Sequence, residues 1–165
     1  MKLLIICAVL LPSALQAFCF EDAGKRYEID NSLLETIAFV ESNMNPRAVH
    51  RNSNGSFDVG LMQVNSAWIE TLGLDKDKLI SDACYNVMAG AKILKGCVDR
   101  HGLNWVAVGC YNATDVQKRI NYSWEVFRKL KTRGQKQMAE PERRESIPSS
   151  LSFTARDMAQ EGREE

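Results

Sequence analysis

The stretch DNSLLETIAFVES, residues 30–42, decides the fold of this chain. Its apolar side chains recur at helical spacing, and Asp30 or Asn31 can cap a helix at its start. Glu41 follows Ile37 by one helical turn, so it lies on the apolar stripe of that helix. A buried carboxylate is costly unless it is paired or protonated, and burial raises its pKa. Glu41 is therefore a candidate general acid; the alternative is a helix C-terminal residue that accepts bonds from nearby backbone.

The polar segment after this helix predicts a loop that contains a small β element. Asn54-Gly55 suits a hairpin turn, so short strands are expected within residues 49–64. Asp58 lies in this segment and is a second candidate catalytic carboxylate, which could stabilise an oxocarbenium-like transition state or position a water molecule. Its alternative role is that of a loop aspartate that bonds nearby backbone.

Amide and phenol groups near these carboxylates suit a carbohydrate ligand. Gln63 and Asn65 follow the loop and offer donors and acceptors for sugar hydroxyls, and Gly60 permits close approach of the backbone. Tyr111 and Asn112 add a phenol and another amide later in the chain. These residue types indicate a polar groove beside Glu41.

Four cysteines lie beyond the first 17 residues, and an even number in an exported chain indicates disulfides. Helical spacing predicts one long helix that starts at Ser81 or Asp82 and separates Cys84 from Cys97 by far more than the ~7 Å between Cα atoms that a disulfide allows. Of the two remaining pairings, Cys19–Cys84 with Cys97–Cys110 is preferred, because Cys97 ends one helix and Cys110 follows shortly after a turn. A zinc site is disfavoured, because the spacings include no C-x-x-C pair.

The chain is expected to contain one folded domain between two terminal segments. Residues 1–17 have a short positive start, an uninterrupted apolar run and a small residue at the cleavage edge, as in a secretory signal peptide. A membrane anchor is the alternative, but the run is shorter than the ~20 residues that a spanning helix needs. The domain is expected over 18–131, and 132–165 form a charged tail predicted to be disordered.

The last helix of the domain is expected after a capping box formed by Thr114 and Gln117. Apolar side chains share one stripe of this helix: Val116, Ile120, Trp124, Phe127 and Leu130. The whole chain carries 21 Lys and Arg against 21 Asp and Glu. This balance gives no electrostatic footprint for a nucleic acid partner.

Three ordered motifs resemble the signatures of the lysozyme-like lytic transglycosylases of the SLT family. They are Glu41-Ser42, the GLMQ sequence at 60–63 and the AVGCYNA sequence at 107–113. The pattern is most similar to small exported members that accompany conjugation, type III and type IV secretion systems, and Cys19 and the CYNV sequence at 84–87 also match that subgroup. The resemblance covers about residues 19–129.

The resemblance implies a mainly α, α+β lysozyme-like fold with a groove for peptidoglycan strands. Glu41 would be the catalytic acid and base, and Tyr111 and Asn112 would hold Glu41 and the substrate. The residues implied to bind substrate are Ser42, Gly60, Leu61, Met62, Gln63, Asn65, Tyr111 and Asn112.

The implied reaction cleaves the β-1,4 bond between N-acetylmuramic acid and N-acetylglucosamine and leaves a 1,6-anhydro end, with no metal or organic cofactor. A periplasmic protein without stable membrane insertion is expected, and proteins of a secretion or conjugation apparatus are candidate partners. Asp58 follows Glu41 at the spacing of the two carboxylates of lysozyme, so a hydrolytic muramidase is an alternative. A non-catalytic glycan-binding assembly module is another.

Overall fold

The computed structural model describes residues 18–139, with side chains described as far as 135. The helices are α1 Phe20–Tyr27, α2 Asn31–Ser42, α3 Ala67–Leu72, α4 Lys76–Ser81, α5 Ala83–His101, α6 Trp105–Asn112 and α7 Val116–Ala139. The strands are β1 Val49–Arg51, β2 Phe57–Val59 and β3 Val64–Asn65. The chain divides into two units after Lys131, and the site described below belongs to the first unit. The predicted fold class, mainly helical with a small β element, is confirmed.

Side-chain caps explain where several helices begin. Asp30 accepts from the backbone N–H of Leu33 at 3.1 Å, and Asp82 accepts from that of Tyr85 at 3.0 Å. Asn104 caps α6 through Val106, at 2.9 Å. Each cap satisfies a backbone donor that the first helical turn leaves without a partner.

Two helix starts differ from the sequence-based expectation. The mixed charge run at 75–78 is typical in sequence of a solvated turn, but it forms the start of α4, because Asp75 accepts from two backbone donors of the first turn. At the start of α7 the cap is Asp115, which accepts from the backbone N–H of Lys118 at 2.9 Å, rather than the predicted Thr114.

The three strands form an antiparallel sheet in the order β1-β2-β3. Gly55 lies in the β1–β2 turn with a φ of 85°, in the left-handed region that glycine adopts without steric strain. The register places Asp58 of β2 opposite His50 on one side and Asn65 on the other. The sheet thus presents Asp58 between two neighbouring strands.

The core lies where α2 and α5 bury their apolar stripes. Leu34 and Ile37 of α2 are fully buried, as are Val87 and Leu94 of α5. Burying a side chain of this size stabilises the fold by about 1.5–3 kcal/mol. The packing holds α2 firmly, so it also fixes the position of Glu41 at the end of that helix.

Two disulfides reinforce this small core. Cys19 bonds to Cys84, and Cys97 bonds to Cys110. The preferred pairing is therefore confirmed. The first link joins the start of the described chain to α5, and the second joins the end of α5 to α6.

The predicted apolar stripe of α7 does not face the core. Val116, Ile120 and Trp124 are 69%, 46% and 55% exposed, whereas Tyr122 and Val126 are the side chains that this helix buries. An apolar stripe normally packs inward, but α7 instead directs Tyr122 toward α2, where its phenol bonds to Glu41.

The predicted signal peptide, residues 1–17, lies outside the described residues, as does the chain beyond Ala139. α7 continues past Lys131, where the tail was predicted to start, as far as Ala139. Among the helices of residues 18–139, none has the length and apolar character needed to cross a membrane.

Candidate active site

Glu41 sits in the last turn of α2 with a partly buried side chain. The phenol of Tyr122 donates a hydrogen bond of 2.5 Å to its Oε1 atom. Burial raises the pKa of Glu41 to about 7; the Tyr122 bond opposes this rise, and the charges of Asp58 and Glu125 add to it. A carboxyl group with this pKa can both give and take a proton near neutral pH.

Tyr122, rather than Tyr111 as expected, is therefore the tyrosine that bonds to the carboxyl group of Glu41. Tyr111 instead donates to the carbonyl oxygen of Met62 at 2.6 Å, so it holds the backbone of the GLMQ motif rather than the carboxyl of Glu41. Burial raises the pKa of Tyr122 well above its ordinary value, and the charge of Glu41 raises it further. Tyr122 thus keeps its proton and acts as a permanent donor to Glu41.

The sequence contained a weak signal for Tyr122. Tyr122 and Val126 are separated by one helical turn, and both are buried. The polar and charged residues around them made this face less apolar than the Val116–Phe127 stripe, so periodicity favoured the wrong face.

Asp58 is held by two amide groups. The Nδ2 atom of Asn65 donates to Oδ1 at 2.6 Å, and the Nδ2 atom of Asn52 donates to Oδ2 at 2.8 Å. The charge of Asp58 raises the pKa values of Glu41 and Tyr111, which places it near both. Asn65 was a predicted site residue, but as a substrate ligand. Asn52 was not predicted, because an asparagine beside Asn54-Gly55 looks like an ordinary turn residue.

The turn after β2 depends on Gly60 and on one buried amide. Gly60 has a φ of 77°, and a Cβ atom there would lie 2.1 Å from the Nδ2 atom of Asn86. That atom donates to the carbonyl oxygens of Val59 and Leu79, both at 2.9 Å. The Oδ1 atom of Asn86 accepts from the N–H of Met62 at 2.8 Å. Asn86, a fully buried residue of the CYNV motif, thereby fixes the GLMQ turn.

The remaining predicted site residues occupy different environments. Leu61 and Met62 are fully buried, so only their backbone can reach a groove. Ser42 donates to the carbonyl oxygen of Leu61 at 2.8 Å and so ties α2 to this turn. Gln63 is partly buried and donates to the carbonyl oxygen of Gly60 at 2.9 Å.

Asn112 is exposed at the C-terminal end of α6, where its amide is accessible to a ligand.

The arrangement combines two carboxyl groups of different character. Glu41 has a buried environment that favours the neutral acid, whereas two amide donors contact the oxygens of Asp58. A carboxyl group with a raised pKa near a second carboxyl group that is held by amides is suited to acid–base cleavage of a glycosidic bond. Within residues 18–139 no three His, Cys, Asp or Glu side chains form a group suited to a metal ion.

Comparison with known proteins identifies the class. Residues 18–130 match the transglycosylase SLT domain. The chain therefore belongs to the SLT transglycosylase family. A solved structure of an inactive mutant of lytic transglycosylase Slt from Pseudomonas aeruginosa has a similar fold, with a TM-score of 0.59 and 21% sequence identity. That likeness covers 78% of this chain but 25% of the Slt chain.

Smaller relatives match over most of their length. The invasion protein IagB of Salmonella typhi is 41% identical over 125 residues, which cover 70% of this chain and 78% of IagB. The protein IpgF of Shigella flexneri is 37% identical over 135 residues, which cover 78% of this chain and 89% of IpgF. The resemblance seen in the three motifs is thus confirmed at the level of the family.

Proposed function

We propose that this protein is a peptidoglycan lytic transglycosylase in which Glu41 serves as both acid and base. The observation that carries the proposal is the pKa of about 7 at Glu41, in a partly buried position bonded to Tyr122. Membership of the SLT family supports peptidoglycan as the substrate. The bond cleaved would be the β-1,4 bond between N-acetylmuramic acid and N-acetylglucosamine.

The first step is protonation of the leaving oxygen. Because Oε1 of Glu41 accepts from Tyr122, the transferable proton sits on the other carboxyl oxygen. As this proton moves to the glycosidic oxygen, the C1–O bond breaks and its electron pair stays with the leaving N-acetylglucosamine. An oxocarbenium-like centre develops at C1 of N-acetylmuramic acid, and the nearby negative charge of Asp58 would stabilise it.

The second step closes the ring. The C6 hydroxyl of the same sugar attacks C1, and the carboxylate of Glu41 accepts the hydroxyl proton. The product carries a 1,6-anhydro bridge, no water is consumed, and Glu41 regains its proton for the next cycle. The hydrogen bond from Tyr122 stabilises the carboxylate form between the two steps.

Hydrolysis is the second candidate, and one observation favours it. Asp58 is held by two asparagine amides and interacts electrostatically with Glu41. A second carboxylate of this kind can position or activate water, or act as nucleophile, as in retaining and inverting glycosidases. The product would then carry a reducing end.

Mass spectrometry of purified sacculi after digestion separates the two reactions. Anhydro ends support the transglycosylase, and reducing ends support the hydrolase. The Glu41→Gln variant is the matched control, since it keeps the shape of the side chain and removes the transferable proton. Unchanged clearance of sacculi by this variant would refute the assignment of Glu41 as the catalytic residue. Absence of clearance by the wild-type protein would instead support a glycan-binding module.

The biological role that we propose is local opening of the cell wall for a secretion or conjugation apparatus. The resemblance of the motifs to exported members of that kind supports it, as do the two disulfides, which are typical of proteins outside the cytosol. The periplasm is the proposed location. Deletion of the gene should then reduce assembly of the apparatus while leaving cell growth unchanged, which imaging and growth curves would measure.

A further inference from the structure

The exposed faces of α6 and α7 enclose an apolar groove that the proposed reaction does not use. It has a volume of about 490 Å³. The apolar groove is lined by Trp105, Val106, Val116, Ile120, Trp124 and Phe127. Phe127 makes edge-to-face contacts with both Trp105 and Trp124, at centroid distances of 5.3 and 5.6 Å. Exposed apolar surface of this kind, gathered into a concave site, marks a binding surface.

The two polar side chains that line the groove are engaged within the protein. Ser123 donates to the carbonyl oxygens of Trp105 and Arg119, at 2.7 and 2.9 Å. The Nε atom of Arg119 donates to the carbonyl oxygen of Ala113 at 2.8 Å. Arg119 has further N–H groups besides Nε, but the rest of the wall is apolar, so a glycan would lose most of its hydrogen bonds to water without replacing them. An apolar ligand would not incur this loss.

The charges near the apolar groove are positive. Arg119 lines it, and Lys131 follows Phe127 by one helical turn, so it extends the same face of α7. The other basic residues of 116–131 do not all share this face: Lys118 lies on another face of α7, and Lys129 lies over the ring of Phe39. The acidic residue of 116–131 is Glu125. Glu125 lies toward the active site, because its charge raises the pKa of Glu41. The rim thus favours a partner with acidic side chains.

We propose that the apolar groove binds an amphipathic helix of another protein, with apolar side chains at i, i+3, i+4 and i+7 and acidic residues beside them. Helix-in-groove binding uses this combination of apolar anchors and flanking charge. The concave shape favours inserted side chains over a flat bilayer surface. Two copies of this chain would bring their basic α7 helices together, so like charges disfavour self-association through this face.

The test selects helical peptides from a display library in which apolar and polar positions vary. Peptides are selected on the full-length oxidised protein. Peptides that also bind a Trp124→Ser variant are discarded, because they bind elsewhere on the protein. Acidic amphipathic helices should be enriched, and Trp124→Ser should weaken each purified peptide at least tenfold, the effect of losing a hot-spot contact of about 1.4 kcal/mol or more. The matched control is Val49→Ser on β1, an apolar side chain that is also 55% exposed, with unchanged affinity expected.

Charge-reversing substitutions test the proposed preference for acidic peptides independently. Lys131→Glu should weaken the acidic peptides several-fold, whereas Lys118→Glu, with the same change in net charge on another face of α7, should not. Melting curves by circular dichroism show that each variant is folded. Enrichment of peptides with no apolar stripe, or equal binding by Trp124→Ser and wild type, would overturn the proposal.

Binding of three alternative occupants of the groove is tested with the same Trp124→Ser variant. Binding to anionic vesicles that Trp124→Ser abolishes would assign the groove to a membrane surface. A dimer in sedimentation experiments that Trp124→Ser dissociates would assign it to a second copy. A synthetic peptide of residues 140–165 that binds in a Trp124-dependent manner would assign it to the chain itself. Each result would overturn the partner-helix proposal and leave the catalytic one untouched.

Discussion

Replacing Glu41 with Gln measures how much the buried carboxyl group destabilises the fold. The pKa of Glu41 is raised from 4.5 to about 7, chiefly because burial disfavours the charged form. One pKa unit corresponds to about 1.36 kcal/mol, so ionisation of Glu41 lowers the free energy of unfolding by on the order of 3 kcal/mol. Gln does not ionise, so the variant escapes this loss.

The pH dependence follows from the direction of the shift. Below about pH 4.5 both the folded and the unfolded protein keep the proton, and the carboxyl group contributes no penalty. Between 4.5 and about 7 the unfolded chain has lost the proton that the folded protein retains, so stability falls as pH rises. Above about pH 7 both states are ionised and the penalty is constant. The advantage of Glu41→Gln should therefore grow by on the order of 3 kcal/mol between about pH 4.5 and pH 8.

Urea denaturation of both proteins, with the disulfides intact, measures this difference at several pH values. Comparing changes with pH removes constant effects, such as the altered bond to Tyr122. The matched control is Glu70→Gln, the same substitution at an exposed carboxyl group on α3, where no burial penalty is relieved. A pH-independent difference for Glu41→Gln would show that the carboxyl group is solvated, and the account of its acidity would fail.

Further substitutions test the surroundings of Glu41. Tyr122→Phe removes the donor that lowers the pKa of Glu41, so the alkaline limb of the pH–rate profile for sacculus clearance should move to higher pH. The carboxylate formed between the two steps also loses this bond, so the rate at neutral pH should fall about tenfold. Asp58→Asn removes a charge that raises this pKa, so the same limb should move down; shifts of both variants in one direction would contradict the electrostatics. Gly60→Ala should lower the free energy of unfolding by about 2 kcal/mol or more, because its Cβ would overlap a buried amide at a positive φ. Gly96→Ala, with open space around it, is the control in the same denaturation assay and should be neutral or slightly stabilising.

The parts of the fold with local chemical signals could be predicted from the sequence. The helix starts at Asp30, Asp82 and Asn104 follow from capping chemistry, which involves only neighbouring residues. The position of Glu41 on the apolar stripe of α2 predicted its raised pKa, because helical spacing places it on the face of α2 that packs inward. The length of α5 excluded Cys84–Cys97, and the short separation of Cys97 and Cys110 across a turn favoured the pairing that is observed.

The long-range contacts of the site could not be predicted in this way. Tyr122 reaches Glu41 only because α7 packs with one particular face toward α2, and helical periodicity pointed to the opposite choice. The apolar stripe of α7 was predicted correctly as a stripe, but most of its side chains are exposed rather than packed in the core. Likewise, Asn52 bonds to Asp58 across the β1–β2 hairpin, and the register of that hairpin depends on both strands together.

The side chain of Asn86 makes the protein sensitive to a change of very few atoms. Its two N–H groups contact carbonyl oxygens of Val59 and Leu79, and its oxygen contacts the N–H of Met62. Deamidation to aspartate would preserve the shape of the side chain but place an oxygen against two carbonyl oxygens. Deamidation at this single interior position would therefore loosen the turn that precedes Gln63, without altering any residue that contacts Glu41.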